Sequence, residues 1–178
     1  MYLESAKSKR NAQSYSLWLM PQGNAKDQLK DTIQSLGSDF DGPFFEPHVT
    51  LVSGFLGEEK KLFNKAKKIS KKISPFIIVF DGIACLNEFF RSLYLKVKFN
   101  KSFISSRNTA CNELGFIEHD YIPHLSLIYG NYTFTQKERM ISRMGSLPSS
   151  FSVEKIFLTY NDEVNLKWRI IKEFSLSN

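Results

Sequence analysis

Two of the three histidines in this 178-residue chain stand in matching pentapeptides, 76 residues apart. They are Pro47-His48-Val49-Thr50-Leu51 and Pro123-His124-Leu125-Ser126-Leu127. Imidazole has its ordinary pKa near neutrality, so a pair of rings can supply one neutral base and one cationic acid. Each histidine is followed two residues later by a hydroxyl. Thr50 and Ser126 can hydrogen-bond the non-bridging oxygens of a phosphate as negative charge builds on phosphorus. Two imidazoles and two hydroxyls are the groups that cleave a phosphate ester by proton transfer alone. A lone histidine beside a threonine on a strand is usually structural, but a matched second copy turns the reading toward catalysis. His119, in Glu118-His119-Asp120, has no matched partner and reads as an ordinary surface histidine.

No acidic cluster stands beside either motif to hold an ion. The two cysteines, Cys85 and Cys111, form no CxxC and no Cys/His spacing suited to zinc. No metal and no cofactor are expected, and a reduced, cytoplasmic protein follows from the cysteine usage.

The motifs need strands to present them. Side chains alternate across a strand, so His48 and Thr50 share one face while Val49 and Leu51 share the other; the second motif repeats this. Proline suits the start of each strand because it cannot donate to a ladder. A pseudo-twofold arrangement of the two strands would face all four polar groups across one cleft.

The flanking pattern predicts strands over Tyr15 to Met20, Phe44 to Val52, Phe76 to Ala84, Ser92 to Phe99 and His124 to Tyr129. A last pair, Val153 to Tyr160 and Leu166 to Phe174, flanks a turn at Asn161-Asp162. Helices are predicted over Ala25 to Leu36, stopping at Gly37, over Glu58 to Ser74, over Ser102 to Leu114, and from about Thr135. The class is α+β with largely antiparallel sheets.

The length fits one domain, or two small lobes sharing a core, over residues 1–178, with 1–12 as a flexible leader. Hydrophobic residues make up 42% of the chain, enough for a packed core, which excludes disorder. The longest apolar run, Phe76 to Phe80, is too short to span a membrane, and the polar start lacks a signal peptide's apolar stretch. The formal charge is +6. Much of it lies in Lys60, Lys61, Lys65, Lys67, Lys68, Lys71 and Lys72. There Leu62, Ala66, Ile69 and Ile73 recur at helical spacing, so these lysines read as a solvated helix face before an RNA-binding stripe.

Paired His-x-Thr/Ser motifs resemble the two-histidine (2H) phosphoesterase superfamily, which also contains 2′-5′ RNA ligase-like proteins. Four stretches are similar to its plant and yeast cyclic phosphodiesterase branch: YSLWLMP (15–21), FDGPFFEPHVTL (40–51), FFRSLYLKV (89–97) and YIPHLSLIYG (121–130). The resemblance implies a bilobal fold with two antiparallel sheets lining a central cleft and helices outside. It implies hydrolysis of ADP-ribose 1″,2″-cyclic phosphate to ADP-ribose 1″-phosphate, and of nucleoside 2′,3′-cyclic phosphates to 2′-phosphates. His48 and His124 take the catalytic positions, Thr50 and Ser126 the phosphate-binding ones, and Trp18, Phe90 and Tyr129 the aromatic substrate contacts. A monomer acting on a small cyclic phosphate is expected, with RNA-end processing or non-catalytic nucleotide binding as the alternatives. By strand parity Trp18 and Phe90 can face the cleft. Tyr129 has the wrong parity from His124 and reaches it only if the strand ends or bulges before Gly130.

Overall fold

A computed structural model describes residues 13–116 and 121–177; the expected leader and His119 lie outside the described residues. Eight antiparallel strands form one curled sheet in the order β6-β3-β4-β5-β2-β1-β7-β8. In chain order these are β1 (Gln13–Leu19), β2 (Val49–Phe55), β3 (Phe76–Cys85), β4 (Leu93–Val97), β5 (His124–Ile128), β6 (Ser150–Val153), β7 (Lys155–Asp162) and β8 (Lys167–Ser175). Four helices intervene: α1 (Gly23–Phe40), α2 (Glu59–Ser70), α3 (Lys101–Leu114) and α4 (Phe134–Arg143). The two expected sheets are the halves of this one, β2-β1-β7-β8 and β5-β4-β3-β6, and they meet where Val49 of β2 pairs with Leu125 of β5.

The halves are locked less by that pairing than by crossed helices. The α1 helix packs on β5, and α3 packs on β2. Leu17, Leu19, Val49, Leu51, Leu125 and Leu127 are fully buried on the helix side, in a core with Leu29, Leu36, Ala66, Ile69, Phe103 and Met140. Burying such side chains contributes roughly 1.5–3 kcal/mol each, so strand alternation is firmly set wherever the ladder is regular.

Several local expectations change: the strand predicted over Phe44 to Val52 begins only at Val49 and runs to Phe55, and the helix predicted over Glu58 to Ser74 ends at Ser70. Helix α1 does not stop at Gly37 but runs to Phe40 and closes on Asp41 in the left-handed conformation (φ 56°). Gly37 lies on the buried face, where a Cβ would come within 3.0 Å of the Phe44 ring, so this glycine serves packing rather than termination. The predicted strand Val153 to Tyr160 is broken at Glu154, which lets the chain cross from β3's edge to β1's. The last turn falls at residues 163–166 instead of Asn161-Asp162, and Asp162 closes it by accepting from the Asn165 backbone and side chain. Asn161 stays in β7 because its buried amide is bonded to Ser16 and Thr159. In α2, Leu62, Ala66 and Ile69 are buried as expected, while Lys68 of the helix and Lys72 of the turn after it both pair with Glu113 of α3. Among the described residues no helix is long and apolar enough to cross a membrane.

Candidate active site

His48 immediately precedes β2 and His124 opens β5, so the central pairing sets the two motifs side by side. His48, Thr50, His124 and Ser126 all line one cleft of about 980 Å³, counting its open mouth. The histidines are anchored identically. Nδ1 of His48 lies 2.7 Å from the Glu46 carbonyl oxygen, and Nδ1 of His124 lies 2.7 Å from that of Ile122. A carbonyl only accepts, so each Nδ1 carries hydrogen, and Nε2 is the ring nitrogen that gains or loses a proton.

Their surroundings differ. His48 is only 8% exposed, and burial pulls its pKa down to about 4; the Glu46 carbonyl and carboxylate oppose that shift, and the His124 ring adds to it. One face of His48 is covered by Trp18, stacked at 3.6 Å between ring centroids and 9° between planes. His124 is the more open ring, with Tyr94 packed edge-on at 5.4 Å.

Tyr94 occupies the place of Trp18 in the other half. Trp18 pairs in register with Thr50, and Tyr94 pairs with Ser126. Sequence reasoning did not single out Tyr94, although the signal is present: Ser16-Leu17-Trp18-Leu19 recurs as Ser92-Leu93-Tyr94-Leu95 at the same 76-residue offset as the histidines.

Both motif strands also bulge at matched positions. Leu17 faces Val52 while Trp18 faces Thr50, which leaves Leu51 unopposed; Leu93 faces Ile128 while Tyr94 faces Ser126, which leaves Leu127 unopposed. The extra residue reverses the alternation. It returns Ser53 and Tyr129, each three residues after the motif hydroxyl, to the cleft wall. Beyond the bridge the Leu51 carbonyl accepts from Arg107 Nη1 at 2.6 Å, and the Thr50 carbonyl accepts from the Tyr121 hydroxyl. The Arg107 guanidinium in turn lies 3.5 Å over the Tyr121 ring.

The hydroxyls are not equivalent either. Ser126 donates to the Phe90 carbonyl at 2.8 Å, whereas the Thr50 hydroxyl has no hydrogen-bond partner among the described residues. Burial pushes the Tyr129 phenol well up; the Ser126 hydroxyl opposes that shift, and the Glu163 carboxylate adds a smaller push upward.

The three expected aromatic contacts all line the cleft. Phe90 belongs to a 3₁₀ turn (Phe89–Arg91) rather than to the strand its parity was counted on. Trp18 is 3% exposed and its ring is occupied by His48, so the geometry makes it a support for the histidine, not an open platform for a base. Arg91 is the only Lys or Arg on the described cleft wall, and its Nε and Nη2 both donate to Glu88 Oε2, at 2.9 and 2.6 Å. Among the described residues no three His, Cys, Asp or Glu side chains converge on a point where one ion could sit.

Residues 13–177 match the family described as cyclic phosphodiesterase-like protein. The chain belongs to that family. With this membership it is a phosphodiesterase. It is 29% identical over 140 residues to an Arabidopsis thaliana cyclic phosphodiesterase, across 76% of each chain. It is also 29% identical over 136 residues to a Kluyveromyces lactis 2′,3′-cyclic-nucleotide 3′-phosphodiesterase, across 65% of this chain and 64% of that one. The fold is that of the 2H phosphoesterases. Escherichia coli LigT, in crystals with 3′-AMP, superposes with a TM-score of 0.61 at 11% identity, covering 94% of this chain and all of that one. A Thermus thermophilus protein superposes at 0.59 with 14% identity, over 92% of this chain and 97% of its own.

Proposed function

We propose that this phosphodiesterase opens small cyclic phosphates with His48 as base and His124 as acid. The substrates in this reading are ADP-ribose 1″,2″-cyclic phosphate and nucleoside 2′,3′-cyclic phosphates. The observation that carries it is a pair of imidazoles, each bonded through Nδ1 to a backbone carbonyl and both lining one cleft. With its pKa near 4, His48 is neutral at neutral pH and offers a lone pair. Water attacks phosphorus and gives its proton to Nε2 of His48. The bond from phosphorus to the departing ribose oxygen breaks, and Nε2–H of His124 protonates that oxygen. For a nucleoside substrate the departing oxygen is O3′, which leaves a 2′-phosphate. The two rings then exchange protons with solvent to reset. Thr50 donates to a non-bridging oxygen, and Ser126 joins it by releasing the Phe90 carbonyl.

A cleft wall with one Lys or Arg favours a small substrate over a long RNA backbone. The test is turnover of a panel of cyclic phosphates in excess EDTA, with products assigned by phosphorus NMR. Undiminished rates and 2′-phosphate products are expected. Strict need for an added divalent ion, or 3′-phosphate products, would contradict the mechanism. Faster turnover of a cyclic-phosphate-ended oligonucleotide than of a mononucleotide would move the assignment to RNA ends.

A further inference from the structure

Besides the histidines, seven aromatic rings line the cleft or lie beneath it, and most are already packed on a neighbour. Trp18 is stacked on His48. Tyr129 and Phe45 are 5% and 9% exposed and stack on each other at 3.8 Å. Tyr121 lies under the Arg107 guanidinium. Phe89 and Phe90 pack edge to face on each other at 5.0 Å. Trp168, on the edge strand β8, is the largest of the partly exposed rings on the cleft wall.

We propose that Trp168 is the surface on which the base of a nucleotide substrate stacks. Its indole rests against the Tyr129 ring, 5.7 Å away and tilted by 50°, while Phe90 meets Tyr129 at 5.2 Å. Tyr129 is therefore a common floor, with Trp168 supplied by one half of the sheet and Phe90 by the other. Trp168 pairs in register with Asn161, and both Asn161 and Glu163 line the cleft. The Glu163 carboxylate can accept hydrogen bonds from a base or ribose edge, while the Asn161 amide is already engaged with Ser16 and Thr159. The Glu163 charge also repels phosphate, which favours one orientation: phosphate toward the histidines, hydrogen-bond donors toward Glu163. An indole is the largest stacking face a side chain can offer, and stacking on it tolerates any base.

The inference deepens the proposed hydrolysis, and its test can fail separately from it. Trp168→Ala and Trp168→Phe are compared with wild type on a nucleoside 2′,3′-cyclic phosphate and on methyl riboside 2,3-cyclic phosphate, which lacks the base. Trp168→Ala should raise KM for the nucleotide about five- to a hundredfold. Its kcat should hold within about twofold, because no proton-transfer group is touched. KM for the riboside should not change, and Trp168→Phe should recover much of the loss. Trp168→Leu, which keeps apolar bulk and loses the ring, replaces the alanine variant if that one does not fold. Equal losses on both substrates, or none on the nucleotide, would overturn the inference. If wild type hydrolyses neither substrate, the proposed reaction fails, and calorimetric Kd values for nucleoside 2′-monophosphate and inorganic phosphate decide instead. Selective weakening of the nucleotide in Trp168→Ala would sustain the stacking site. Parallel changes, or no nucleotide binding by wild type, would reject it.

Discussion

Replacing Trp18 should change the titration of His48 before it changes anything else. The indole covers one face of the imidazole at 3.6 Å, and burial is the leading cause that holds the His48 pKa near 4 instead of 6.5. The whole displacement, from 6.5 to about 4, corresponds to about 3 kcal/mol between the protonation states. The Glu46 carbonyl stays bonded to Nδ1 and the core side of the ring stays covered, so Trp18→Ala should raise the pKa by about one unit or more. The sign carries over to stability. Between pH 6.5 and about 4 the unfolded chain takes up a proton that folded His48 refuses, so stability is full above 6.5 and is lost as pH falls toward 4. The variant should lose less over that window. Trp18 also packs with Met20 and Phe157, and its truncation should cost roughly 3–5 kcal/mol. Trp18→Phe is the milder companion, with a smaller shift. The assay is an NMR titration of the His48 Cε1–H, with the acid limb of kcat/KM followed alongside. A wild-type His48 that titrates near 6.5, or one that stays near 4 in Trp18→Ala, would refute the reasoning.

Tyr94→Ala should lower kcat by about tenfold or more by loosening His124, while Tyr94→Phe keeps the edge contact and stays near wild type; His48 should titrate unchanged in both, as NMR can check. Thr50→Ala should slow turnover roughly tenfold to a few hundredfold through a lost transition-state hydrogen bond. Ser126→Ala should cost a similar factor and also lower stability measurably in urea, because it frees the Phe90 carbonyl. Tyr121→Phe removes the donor to the Thr50 carbonyl while leaving the ring beneath Arg107, and should cost about 1–3 kcal/mol by denaturant titration.

That His48, Thr50, His124 and Ser126 share one cleft was legible because a short repeat with strand alternation constrains both which residues meet and which face they share. The fold class followed from the same periodicities. Tyr129 was reached only conditionally, since parity counting assumes an unbroken ladder and a bulge at Leu127, beside the equally apolar Ile128, leaves no mark in composition. Gly37 reads as a helix stop until the Phe44 ring that needs its missing Cβ is in place. The inequality of the two histidines was out of reach, because near-identical pentapeptides differ only in what packs on them: an indole on His48, a phenol edge on His124. Tyr94 was overlooked rather than hidden, as its tetrapeptide echo keeps the spacing of the histidine motifs.

The central claim is that His48 and His124 form one acid–base pair. The most direct measurement is the single-turnover rate on a nucleoside 2′,3′-cyclic phosphate for His48→Ala, His124→Ala and the double variant, with folding checked by circular dichroism. Each single variant should lose a factor of about 10² or more, and the double variant little beyond the worse single, since groups that act as a unit do not add. Near wild-type turnover in either folded single variant, or losses that multiply in the double, would contradict the account.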